Sequence, residues 1–205
     1  MIKTALEIAM ERTKDLKVDT KALARTEARN AGKRLAGSYL ADPAEFDFTK
    51  ALATLTKDQK EEARAGAFEV LAARIQLPVM ANPEQATELA ALAAGFKCLN
   101  SASLGVNKIQ SIFEELGGFL QQFQENARKL DENLRKQYAP RLKQKEQQLA
   151  MQTGRPVHLD PLQDPEFAAI YKQNASQLKA QYQQALDGVK GELAALCGLQ
   201  LPQAD

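Results

Sequence analysis

VNKIQSIFEELGGFLQQFQENARKLDENL, residues 106–134, places apolar side chains at Ile109, Phe113, Leu116, Leu120, Phe123, Ala127, Leu130 and Leu134. The steps alternate between four and three residues, the spacing of a seam along which one helix packs on another. A second series follows nearer the end: Tyr171, Ala175, Leu178, Tyr182, Ala185, Val189, Leu193 and Leu196, with one extra step of four. Each run predicts a helix on the order of 50 Å long at 1.5 Å per residue. Between them lies a connection of about a dozen residues containing Gly154, Pro156 and Pro161, so antiparallel pairing is the simplest outcome. The seam alanines Ala127, Ala175 and Ala185 allow close backbone approach. Pro140 is expected to kink or break the first run, because its ring collides with the carbonyl four residues earlier.

The rest of the chain is helical in composition as well. Ala, Leu, Gln, Glu and Lys dominate the 205 residues and Trp is absent, which favours residues that lose little side-chain entropy in a helix. Ile2, Leu6, Ala9 and Met10 recur at helical spacing against Glu7, Glu11, Arg12 and Lys14. Asp19 then caps a run over residues 20–39. Asp42-Pro43 ends it and can start a short helix, with Phe46, Phe48 and Leu52 plugging the corner. Thr56 and Gln59 form a capping-box pattern that opens a helix up to Pro78. Asn82-Pro83 opens the most apolar helix, with Leu89, Ala90, Leu92, Ala93 and Phe96. Asp164-Pro165 caps the last helix, and Gly198 stands where a left-handed terminator is favoured. The expected fold is all-α: an N-terminal helical part over residues 1–105, packed on or beside a coiled-coil-like antiparallel hairpin over residues 106–205, the two forming one cooperative unit.

Charge and cysteine content exclude several classes. With 27 basic and 26 acidic side chains the net charge is +1, whereas duplex-binding domains carry a clear basic excess. No nucleic-acid partner is expected. Cys98 and Cys197 sit in apolar helical contexts, unlike the denser framework of secreted domains. They read as reduced structural thiols and point to the cytoplasm. The charged first turns do not read as a signal peptide. No run approaches the ~20 apolar residues of a membrane span.

No catalytic, cofactor or metal site is expected. His158 is the single histidine; zinc sites and di-iron bundles need more ligands of that type. The pairs Glu7 and Glu11, Glu61 and Glu62, and Glu114 and Glu115 sit among charged neighbours, as solvated helix faces do, rather than as acid–base pairs in one cleft. Gly117-Gly118 has neither the preceding strand nor the lysine of a phosphate loop and reads as close packing or a kink. Two regions are candidates for contact. The connection offers Arg155, Val157, His158, Leu159 and Leu162 to a partner, unless its apolar residues fold back over the hairpin end; long loops in compact domains are often functional. The locally basic stretch around Arg135, Lys136, Arg141 and Lys143 could meet an anion or an acidic partner, or be an ordinary solvated face balanced by acids.

Ile2-Lys3-Thr4-Ala5-Leu6-Glu7-Ile8-Ala9 and Gly32-Lys33-Arg34-Leu35-Ala36 resemble a group of uncharacterised bacterial helical proteins. The resemblance implies no assigned activity and supplies no catalytic residues. The functional expectation is a non-enzymatic interaction or scaffold protein that binds a protein partner or itself, since Ile112, Phe119 and Ile170 flank the seams and need cover. The alternative is a ligand-binding or enzymatic bundle with an internal pocket drawing on Arg74, Lys97, Asn107, Tyr171 or Tyr182.

Overall fold

The computed structural model describes residues 20–79, 82–100 and 105–199. The amphipathic helix expected over residues 2–14 and its neighbouring cap Asp19 lie outside them. The described residues form six α-helices and no strand: α1 (Thr20–Ala41), α2 (Phe48–Ala53), α3 (Lys57–Arg74), α4 (Gln85–Leu99), α5 (Gly105–Thr153) and α6 (Pro165–Leu196). A 3-10 turn, Pro161–Gln163, precedes α6. The expected all-α class, with its long helix, is what the structure has.

The chain divides into two compact units, Met1–Ala72 and Ala73–Asp205. The sequence predicts the division at residue 105. The difference is α4, whose apolar face belongs with α5: the Phe96 and Phe113 rings lie 5.6 Å apart, and Leu92, Ala93, Phe96 and Leu99 are all buried.

In the first unit, α1 and α3 cross on glycine. A Cβ on Gly32 would sit 1.8 Å from the Ala63 carbonyl oxygen, and one on Gly66 would sit 2.0 Å from that of Arg29. Ala28, Ala36, Ala63 and Ala67 complete this small-residue crossing and are buried. The ions at its edge are Arg29, which pairs with Glu69, and Lys33, 2.8 Å from the same carboxylate. At the corner, Tyr39 stacks on Phe48 at 5.1 Å. The short helix starts at Phe48 rather than after Asp42, because Asp47 caps it by accepting from the Lys50 amide. Asp42 caps only a turn, accepting from the Glu45 amide. Gln59 accepts from the Thr56 amide, one half of the expected capping box.

In the second unit, α5 and α6 are the two arms of the hairpin. Lys108 pairs with Glu192 at one end, Phe123 meets Tyr182 at 5.1 Å in the middle, and Tyr138 meets Phe167 at 5.2 Å at the other end, so the arms run antiparallel. Pro140 does not break α5, which continues unbroken to Thr153. Gly117-Gly118 does not break it either; a Cβ on Gly117 would make ordinary contact with Leu89, and one on Gly118 would meet nothing. In α6 the seam shifts by one residue near its end: Leu186 is fully buried, while Ala185 faces solvent. Gly198, at φ +67°, terminates α6, and the Leu199 amide reaches back to the Ala194 carbonyl.

Candidate functional site

Two places on the hairpin bring functional groups together. The first is its closed end. Asp164 caps α6, accepting from the Glu166 and Phe167 amides at 3.0 and 3.2 Å. Asp is favoured there because its carboxylate satisfies amides that have no partner within the helix. The Tyr138 hydroxyl, from α5, donates to Asp164 at 2.8 Å. Lys145, two turns further along α5, donates to Asp164 at 2.6 Å, to the Tyr138 hydroxyl at 2.9 Å and to Glu166 at 3.3 Å. Arg141 pairs with the other oxygen of Glu166 at 2.7 Å. Below these polar groups Tyr138, Leu142 and Phe167 form a core, with Leu134, Leu159 and Tyr171 packed against it.

The electrostatics of this cluster lock its charges. The hydrogen bond from Lys145 holds Asp164 down to about 2, and it lowers Glu166 as well. The Asp164 carboxylate in turn raises Lys145 above its ordinary value. Burial, with hydrogen bonds to Asp164 and Glu166 added, pushes the Tyr138 phenol up. Proton transfer near neutral pH needs a group poised between its two states. Here every shift moves the group away from neutrality, so the cluster is a clamp that fixes the end and register of the hairpin.

The second place is the waist. Among the described residues, none between 121 and 137 on α5 and none between 168 and 185 on α6 is buried. The seam nevertheless runs through this region, with Phe123, Ala127, Leu130, Tyr171, Ala175 and Leu178 lining a groove of about 690 Å³. The segment Leu77-Pro78-Val79 reaches its edge, and Val79 is 98% exposed. Gln121, Gln124, Glu125, Arg128 and Lys179 form the polar rim. Ala127 and Ala175 are small seam residues that line the groove, where leucines would take up more of the space.

The expected contact residues are distributed differently. Leu159 folds back into the clamp core, and its amide donates to Glu146 at 2.9 Å. His158 is 94% exposed, with Nδ1 3.0 Å from the same Glu146 carboxylate. Val157 is half-buried, Arg155 is exposed and Leu162 is 48% exposed. In the basic stretch Arg135 is bound to Asp131 and Arg141 to Glu166. Lys136 and Lys143 point to solvent. The residues proposed for an internal pocket do not converge. Lys97 bonds Gln110, Tyr182 accepts from Asn126, Asn107 is exposed, and Arg74 lines a separate pocket of about 290 Å³.

Tyr138, Lys145 and Glu166 are not among the site residues expected from the sequence: Tyr138 and Lys145 belong to the basic stretch, and no role is read for Glu166. The seam, continued in steps of four from Leu134 to Tyr138 and Leu142, would have placed Tyr138 in the core. Among the described residues no group of three His, Cys, Asp or Glu side chains converges, and no helix is long and apolar enough to cross a membrane.

A long α-helical hairpin with a clamped end, carrying α4 against its other end, defines the class to which this protein's second unit belongs. Residues 49–195 match the model described as "Family of unknown function (DUF6657)", and the chain belongs to that family. The match runs from α2 almost to the end of α6, so both hairpin arms are family features. No curated protein and no solved structure matches the chain.

Proposed function

We propose that this chain is a non-enzymatic interaction protein whose contact surface is the waist of the α5–α6 hairpin. The observation that carries the reading is the half-buried seam between the two closed ends. Two paired helices can each bury only one stripe against the other; a wider apolar stripe needs a third element to cover it. Near α4 a third element is present, and Ile109, Phe113, Leu116 and Leu120 are buried there. At the waist, Phe123, Leu130, Tyr171 and Leu178 keep part of their apolar surface in water. Covering such surface yields about 25 cal/mol per Å². The fully satisfied clamp supports a binding reading over a catalytic one.

The test is photo-crosslinking from position 127 in the full chain, in its own host. A benzophenone side chain replaces Ala127, with an equivalent substitution at exposed Gln147 as the control. The expected result is a discrete adduct, to a partner or to a second copy, that forms from position 127, is absent from position 147, and is lost when Ala175→Trp fills the groove. Equal labelling from both positions, or labelling indifferent to Ala175→Trp in a protein of unchanged helix content, would overturn the reading.

A further inference from the structure

We infer that the occupant of the waist groove is a single amphipathic helix of another protein, apolar on one stripe and acidic on the flank that meets α6. The inference rests on the reading of the waist as a contact surface and adds the chemistry of what binds there. The groove runs along residues 121–130 of α5, a length of about 15 Å, with Leu77, Pro78 and Val79 also on its lining. That length accommodates helix anchors at i, i+3 or i+4, and i+7. Ala127 and Ala175 form the holes that such anchors would enter, while Phe123, Leu130, Tyr171 and Leu178 wall them.

The charge around the groove is asymmetric. On α5 the two charges that line the groove are already answered within their own helix, Arg128 by Glu132 and Glu125 by Lys129, both within 3.0 Å. On α6, residues 168–185 contain only two charged side chains, Lys172 and Lys179. They stand seven residues apart on the stripe that holds Ala175, which places them on one side of the helix. Both are exposed, and among the described residues neither has a carboxylate partner. The uncompensated charge beside the groove is therefore positive. A second copy docking waist to waist would bring the same lysines, and its waist carboxylates Glu125, Asp131 and Glu132 are already held by Lys129, Arg135 and Arg128. A helix with Glu or Asp along one flank supplies what the rim lacks.

The test uses two fluorescent designed helical peptides of about 18 residues, long enough to span the groove. They share one leucine stripe and differ only in flanking residues, Glu in one and Lys in the other. Fluorescence anisotropy with the full chain at low salt is expected to give about threefold to tenfold tighter binding of the Glu peptide, the effect of two exposed ion pairs. The preference should shrink in high salt and reverse in Lys172→Glu/Lys179→Glu. Ala175→Trp should abolish binding of both peptides. Equal affinities at low salt, a preference surviving the double reversal, or binding that survives Ala175→Trp would overturn the acidic-helix inference. Light scattering separates this failure from failure of the underlying reading. A dimer dispersed by Ala175→Trp, with neither peptide bound, overturns the acidic helix and keeps the waist as a contact. A monomer that binds neither peptide and gives no adduct from position 127 overturns both.

Discussion

Replacing Gly32 with alanine should weaken the first unit far more than the same change five residues further along α1. The added Cβ would lie 1.8 Å from the Ala63 carbonyl oxygen, about 1.2 Å inside the 3.0 Å approach that real Cβ atoms respect. The obstacle is backbone, not a side chain that can swing away, so the helices must part by about that distance. Overpacking of this kind costs about 1–3 kcal/mol, and a rigid backbone neighbour puts Gly32→Ala at the upper end. Gly37 has nothing within 4 Å of an added Cβ. There alanine should stabilise by about 0.5–1 kcal/mol through its better helix propensity. For a unit of this size each kcal/mol moves the melting temperature by about 4–8 °C. The two variants should therefore differ by ~15 °C or more in thermal melts followed by circular dichroism. A local readout accompanies the global one. Burial pulls Glu69 upward, but hydrogen bonds from Lys33 and Arg29 outweigh it and hold the carboxyl below its usual value. Parting the helices should let that carboxyl drift back toward 4.5 in an NMR titration. Gly66→Ala meets the Arg29 carbonyl across the same crossing, so combining it with Gly32→Ala should cost less than the sum of the two. A Gly32→Ala protein as stable as Gly37→Ala would refute the crossing.

Pro140→Ala should stabilise the hairpin by about 2 kcal/mol, the helix-interior cost of proline less its entropic benefit in the unfolded chain; urea denaturation reads this, and a lower midpoint would count against a continuous α5. Gly118→Ala, with no neighbour to meet, should raise stability by up to about 1 kcal/mol in the same assay, whereas a loss would mean that something covers that face. Tyr138→Phe should cost about 1 kcal/mol for the hydroxyl bonds shared with Asp164 and Lys145, with an unchanged midpoint as the contrary result. The clamp should also be pH-dependent in a definite direction. Asp164 titrates at about 2 when folded against 3.8 ordinarily, so its contribution is complete above about pH 4 and fades as the pH falls toward 2. Lys145 is raised from 10.5, so its contribution is complete below about pH 10 and fades above it. Near-UV circular dichroism of the tyrosines should stay flat between these limits, and Asp164→Asn should shrink the acid-side change, leaving the part that belongs to Glu166, which Lys145 also holds below its usual value.

What could be read from the sequence was what repeats. Ile109, Phe113, Leu116 and Leu120 recur often enough that their face is fixed by spacing alone, and the cap at Asp164, followed by Pro165, and the glycine stop at Gly198 are local rules applied within a few residues. Contacts that depend on partners distant in the chain were not legible. Gly32 and Gly66 lie thirty-four residues apart in sequence, and nothing local says that each faces the other's helix. Lys145 and Asp164 looked like members of a charged stretch and a cap, and only the hairpin turn brings them within 2.6 Å. Ala185 and Leu186 fit the three-four rhythm equally, each with one extra step of four, and the core took the larger side chain because burying leucine gains more. The waist lay in plain view as three seam alanines. Their spacing predicted close helix approach, whereas in the structure Ala127 and Ala175 line an open groove.

That groove is compatible with a stable hairpin because the arms are secured on either side of it by different means. Beside α4 the security is apolar: Phe96 on Phe113, with Leu186 and Leu193 fully buried. At the turn it is polar: Lys145, Tyr138, Asp164 and Glu166 hold one another in a fixed arrangement. With both ends fixed, register no longer depends on the middle, and small residues can stand on the seam there without letting the arms slide. A surface built this way is organised before anything docks, so less ordering entropy opposes binding. If instead the waist had to close for the hairpin to hold, Ala127→Leu and Ala175→Leu would each stabilise the chain by filling space. On the present reading both should leave stability within about 0.5 kcal/mol, with Ala175→Leu also blocking the contact made from position 127, and an Ala175→Leu protein that gains stability yet still forms the position-127 adduct would count against it.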